Sequence, residues 1–234
     1  MGKIITTNIK ENLDYVNDRI QQTLKRAGRT DTVELIAVTK TIDIERILEA
    51  IDAGVTDIGE NKVQELTEKI SAMGDITNYH MIGHLQTNKV KYIINDVHLI
   101  HSLDRLSLAK EIDKRGGAVN RIIDCLVQVN ISGEESKYGI DKSEALEFIE
   151  KVLNFKNIRI KGLMTIAPFT DDESVIRESF RGLSKLREEI IGKNYAELDM
   201  KYLSMGMTND FEIAIEEGAN MVRVGTGIFG KRVY

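Results

Sequence analysis

The chain has 234 residues, 42% of them apolar and 29% charged, with a formal net charge of −5 and one cysteine. This composition excludes a disordered chain, a collagen-like repeat and a disulfide scaffold, and no apolar run approaches the roughly 18 residues of a spanning helix. A net negative molecule has no overall field to draw in nucleic acid, so nucleic-acid and membrane partners are both set aside.

The first residues lack the charged, apolar and small-residue succession of a signal peptide, which predicts a cytoplasmic protein. Met1, Gly2 and Thr6 satisfy an N-myristoylation pattern, but the pattern is short enough to arise by chance and one acyl chain binds membranes only marginally. In "NIKENLDYVNDRIQQTLKRAG", Ile9, Leu13, Val16, Ile20 and Leu24 share a helical face and Gly28 stands where the helix should stop. "VELIAVTK" then reads as a strand, Asp43 as the cap of a helix ended by Gly54, and "VTDIGEN" as a second strand. "NYHMIGHL" and "VHLIHSLD" are strands three and four, with a short helix "TNKVKYIIND" between them and another, "DRLSLAKEIDKRGG", after. "DCLVQVNIS" is the fifth strand, followed by a helix opened by Asp141 with Glu144 three residues on, an acidic variant of the capping box. "IRIKGLMTI" is the sixth, "DDESVIRESFRGLSKLREEIIG" a long amphipathic helix, and "KYLSMGM" and "ANMVRVGT" the last two strands, joined by a short helix starting near Thr208.

Eight strands alternating with helices, one helix ahead of them and a single proline predict one α/β domain over residues 1–234, a (β/α)8 TIM barrel with an extra N-terminal helix. An open doubly wound sheet is the alternative, but no G-x-G-x-x-G follows the first strand.

Barrel chemistry sits at the C-terminal ends of the strands. Lys40 ends strand one, and if it points inward then Val38 and Ile36 do too. A lysine beside apolar walls can serve as a Schiff-base amine; equally, it can be an exposed strand-end lysine. After strand eight, Gly225, Thr226 and Gly227 allow close backbone approach, as an anion nest requires, and Ser204 on strand seven is a candidate donor to the same phosphate. Arg223 should share the inward face of Gly225, facing an anion or pairing with a carboxylate such as Glu60. Asn61, past strand two, is a ligand contact or simply a helix start. The four histidines, His80, His84, His98 and His101, do not suggest a metal: His80 and His84 stand about 13 Å apart along a strand, and His98 and His101 point to opposite faces. Cys125, in the apolar "CLVQV", reads as an inert buried thiol.

The blocks "AVTKT", "GENKVQE", "HMIGHLQTNKVK", "HSLDR", "VQVNIS", "GLMTIAP", "LSMGMTNDFEIAIEEGA" and "VRVGTGIFG" span nearly the whole chain. Together they resemble the pyridoxal phosphate homeostasis protein family, itself similar to the barrel domain of alanine racemases. The resemblance implies pyridoxal 5′-phosphate (PLP) held as a Schiff base on Lys40, with the phosphate at Ser204, Gly225 and Thr226, Arg223 toward the pyridine nitrogen, and Asn61 at the site. It implies a carrier and regulator of vitamin B6 pools with no catalytic residue, and PLP-dependent apoenzymes as partners. A PLP-dependent amino-acid racemase is the alternative, and a Schiff-base aldolase on a phosphorylated sugar a more remote one. Racemases add a second base from a C-terminal β domain; with the chain ending at Tyr234, a monomer without that base is expected.

Overall fold

The structure, a computed structural model, describes residues 8–134, 138–195 and 198–230. The N-myristoylation pattern and Tyr234 lie outside them. Helix α1 (Ile9–Arg26) begins at Asn8, whose side chain accepts the Glu11 N–H, and buries Leu13, Val16, Ile20 and Leu24. It ends before Gly28, which adopts φ +66°, open to glycine without a Cβ penalty.

Eight strands then follow: β1 (Glu34–Val38), β2 (Asp57–Glu60), β3 (Asn78–Met81), β4 (Val97–Leu103), β5 (Ile123–Asn130), β7 (Ile158–Met164), β8 (Tyr202–Met207) and β9 (Met221–Val224). Each pairs in parallel with its neighbours, β4 pairs with β5, and β9 returns to β1, so the sheet closes into a (β/α)8 barrel and the open-sheet alternative is excluded. The two-residue strand β6 (Ile140–Asp141) is a side branch on β5. Between the strands lie α2 (Ile44–Asp52), α3 (Val63–Met73), α4 (Leu106–Ala118), α5 (Ala145–Val152), α6 (Glu173–Ile191) and α7 (Phe211–Glu216), with α8 (Thr226–Phe229) after β9. Among the described residues, no helix is long and apolar enough to cross a membrane.

Alternation along the strands sorts side chains into two cores. Ala37, Ile58, Val127, Leu203, Val222 and Val224 face outward into the large cluster shared with the helices. Ile36, Leu99, Leu126, Met164 and Met221, with Tyr202 against them, form a separate small cluster inside the barrel. Cys125 is buried and free, and burial pushes its thiol pKa up, as suits an unreactive core thiol.

Three local expectations change. The segment predicted as a helix after β3 is a 3₁₀ helix, Thr87–Tyr92. Asp141 forms no capping box: its backbone pairs with Asn130 as part of β6, so α5 starts only at Ala145 after a 3₁₀ turn. The helix expected near Thr208 starts at Phe211, because the Asp210 carboxylate accepts the Met207 N–H and holds a tight turn before it.

Candidate functional site

A cavity of about 630 Å³ opens at the C-terminal ends of β1, β7, β8 and β9, and Lys40, Arg223, Gly225 and Thr226 all line it. Val38 lines it too, and Ile36 lies in the inner cluster, so the inward parity expected for Lys40 is what the strand adopts.

The turn carrying Lys40 is held from behind. Lys69 of α3 donates to the Thr39 carbonyl at 2.7 Å and to Glu60 Oε1 at 2.5 Å, while the Thr39 hydroxyl donates to the same Glu60 oxygen at 2.5 Å. On the other side the Thr41 N–H donates to Glu65 Oε2 at 2.8 Å, fixing a threonine with φ +62°. A β-branched residue is strained in that region, and such strain persists only where neighbours over-determine the backbone. Burial pushes the Glu60 carboxyl pKa up, and Lys69 and Thr39 pull it back. Glu60 therefore faces α3, away from Arg223, and the pairing expected between those two is not made.

Arg223 is almost fully buried, with 4% exposure. Its NH1 donates to Ser204 Oγ at 2.6 Å and its NH2 to the Thr165 carbonyl at 3.0 Å. Burial lowers its pKa to about 10, with Asp210 opposing the shift. It remains a cation at neutral pH.

Ser204 is not at the cavity. Its side chain is fully buried inside the barrel, accepting from Arg223 and sharing a 3.0 Å bond with His101 Nδ1. The hydroxyl that β8 brings to the cavity is that of Thr208, just past the strand's end. Thr208 Oγ1 accepts from the Thr226 hydroxyl at 3.2 Å and from the Gly227 N–H at 3.4 Å. Its signal in the sequence is its place directly after the strand end, four residues beyond the serine of "LSMGMT".

The turn after β9 packs closely against β1 and the end of β9. A Cβ at Gly225 would stand 3.3 Å from Val38 Cβ and O, and one at Gly227 would stand 2.8 Å from Val224 Cγ1. The Thr226 N–H, the first of α8, has no acceptor within the helix and suits an anion, while the Gly227 N–H is turned to Thr208 Oγ1. From below, Asn12 Nδ2 donates to the Ile228 carbonyl and Arg46 to the Phe229 carbonyl, so α1 and α2 fix the turn. Asn61 is not among the lining residues; its backbone packs against Gly83, where a Cβ would come 2.3 Å from the Asn61 carbonyl oxygen.

The histidines form a network that strand spacing alone did not suggest. His80 Nε2 bonds Asp57 Oδ1 at 2.9 Å, and His80 Nδ1 bonds His101 Nε2 at 2.9 Å. His98 lies against His80, ring centroids 5.3 Å apart, and His84 stacks on Tyr138. Pairing across β2, β3, β4 and β8 brings these residues together, a register that periodicity within one strand does not encode. Among the described residues, no group of three or more His, Cys, Asp or Glu is arranged to hold a metal.

Comparison with known proteins puts this geometry in context. The alanine racemase N-terminal domain matches residues 11–233. A pyridoxal phosphate homeostasis protein of Aquifex aeolicus is 44% identical over 229 residues, covering 97% of this chain and 100% of that one. A crystal structure of an unknown protein from Bifidobacterium adolescentis superposes with TM-score 0.91 at 40% identity, over 95% of this chain and 94% of that one. PipY of Synechococcus elongatus, solved with PLP bound, superposes with TM-score 0.84 at 30% identity, over 95% of this chain and all of PipY.

Proposed function

This chain belongs to the alanine racemase N-terminal domain family and, within it, to the pyridoxal phosphate homeostasis proteins, and we propose that it binds PLP at the mouth of its barrel to serve intracellular vitamin B6 homeostasis. One observation carries the reading: a lysine, a buried arginine and a glycine-flanked, hydroxyl-lined helix start open onto a single cavity.

The residues present fit the group. The glycines at 225 and 227 let the turn pack tightly against Val38 and Val224, and that turn presents the Thr208 and Thr226 hydroxyls and the backbone of Gly225 to the cavity, which suits a phosphate. Lys40 supplies the amine, and Arg223 is the donor for the ring nitrogen. PLP's aldehyde condenses with a lysine amine, releasing water, to a Schiff base that absorbs light and is reduced by borohydride.

The same residues favour storage and delivery over turnover, with PLP-dependent apoenzymes as recipients. A guanidinium holds its proton and leaves the ring nitrogen without one, which weakens the ring as an electron sink. Among the described cavity-lining residues, the titratable groups besides Lys40 and Arg223 are Asp171, Glu173 and Asp210; none is a tyrosine or histidine. Asp210 is occupied by the Met207 N–H.

Two measurements test this reading. Added PLP should give wild-type protein a visible absorption band that Lys40→Ala lacks, and no band in wild type would refute binding. Amino acids incubated with the loaded protein in deuterated water should keep their α-proton; rapid Lys40-dependent exchange would make the protein a racemase-like enzyme instead.

A further inference from the structure

We propose that Asp57, His80, His101 and Ser204 are positioning residues, a one-way hydrogen-bond chain through the barrel interior that fixes the rotation of the Arg223 guanidinium at the cavity. The proposal rests on the reading of that cavity as the PLP site.

The chain starts at the end of the barrel opposite the cavity. Asp57 opens β2 and accepts from His80 Nε2, from the Thr56 hydroxyl at 2.6 Å and from Asn78 Nδ2 at 3.0 Å. Burial alone would raise its pKa, but these bonds outweigh burial and hold it at about 2, so it is a carboxylate that only accepts. That single fact fixes every later proton. His80 Nε2 must carry hydrogen, and a neutral ring then leaves Nδ1 as an acceptor. His101 Nε2 must donate to it, which leaves His101 Nδ1 as an acceptor for the Ser204 hydroxyl. With its proton committed to His101, Ser204 Oγ has lone pairs free for Arg223 NH1.

Both rings are kept neutral by burial. Asp57 and the more distant Glu34 oppose the shift at His80, while His80, Arg223 and His98 reinforce it at His101. Charging His101 would set a second cation beside the buried guanidinium and remove the acceptor that Ser204 needs. Reversing the chain would demand a donor from Asp57, which a carboxylate does not have.

The result is a guanidinium with two of its five N–H groups fixed, one on Ser204 and one on Thr165 O. Both acceptors are neutral, so the chain supplies orientation and a polarisation that ends on the half-buried Asp57 carboxylate, and among the described residues no carboxylate forms an ion pair with Arg223. A donor aimed at a ring nitrogen needs that rotation held.

The test uses protein without and with PLP. In the cofactor-free protein, imidazole 15N NMR at pH 7 should find His80 and His101 neutral with the proton on Nε2. Asp57→Asn keeps the shape but lets the amide donate, so Nδ1-protonated rings should appear. In the loaded protein, Ser204→Ala and Asp57→Asn should shift the absorption band of bound PLP. Ser204→Ala should also weaken PLP binding about tenfold, the size of one charge-assisted hydrogen bond, and Ser204→Thr should restore band and affinity. An Nδ1-protonated or charged ring in the wild type would overturn the chain, as would folded Ser204→Ala and Asp57→Asn proteins with the wild-type band. A wild type that never takes up PLP would refute the proposed function alone, leaving the ring protons to decide the chain.

Discussion

Side chains from β2 and α3 hold the chain on both sides of Lys40, and on the Thr39 side the Lys69–Glu60 pair that does so is buried. Removing one partner of a buried pair leaves the other charge uncompensated, at a cost of about 3–5 kcal/mol. Lys69→Ala, which strands Glu60 and frees the Thr39 carbonyl, should therefore lower unfolding stability by about that much in urea titration. A loss under 1 kcal/mol would mean the pair is not closed. Thr208→Val, nearly isosteric, should weaken PLP binding about tenfold by loss of a hydroxyl to the phosphate, without moving the absorption band. Unchanged affinity would show that Thr208 lies off the phosphate. At this scale the sequence was enough to place Lys40, Arg223, Gly225 and Thr226 around one cavity, because each stands at or next to a strand end. It misled at Ser204, because a serine inside β8 and a threonine just beyond it both suit phosphate, and only the inward burial of one separates them.

Helices α1 and α8 belong together although more than 200 residues of sequence separate them, roughly from Asn12 to Ile228. The amphipathic stripe of α1 was plain from Leu13, Val16, Ile20 and Leu24, but the role of Asn12 beside that stripe was not, since its partner is a distant backbone carbonyl. Asn12→Ala leaves the Ile228 carbonyl buried without this donor, which should cost about 1–3 kcal/mol. It should also weaken PLP binding, because the turn that begins at Gly225 loses a support. Thermal unfolding and PLP titration of the variant check both, and intact affinity would separate α1 from the site. The elements that failed to follow the sequence did so through tertiary bonds. Asp141 was claimed by a strand pairing with Asn130, and the start of α7 was delayed by the bond from Met207 N to Asp210.

The whole barrel carries a pH dependence from its interior. His80 and His101 are held neutral in the folded state, below the ordinary value of 6.5, and take up protons more readily once unfolded. Their contribution is thus fully present above 6.5 and is lost as pH falls toward the folded values, by at most about 2 kcal/mol per ring between pH 7 and 5. Asp57 has the same sign at lower pH, its contribution fading from the ordinary 3.8 down to about 2. Denaturation midpoints should fall from pH 7 to 5, and His101→Gln should flatten that slope; a flat wild-type profile would mean the rings are charged in the fold. Closure into a barrel was legible from eight alternating units, whereas the polar thread inside was not, because four strands must be in register before Asp57, His80, His101 and Ser204 can meet.

The proposed role requires PLP to be joined to one lysine at the barrel mouth. Mass spectrometry of peptides from borohydride-reduced, PLP-loaded protein tests that most directly. Lys40 should carry the pyridoxyl group; a reduced adduct confined to other lysines, or none at all, would refute the assignment.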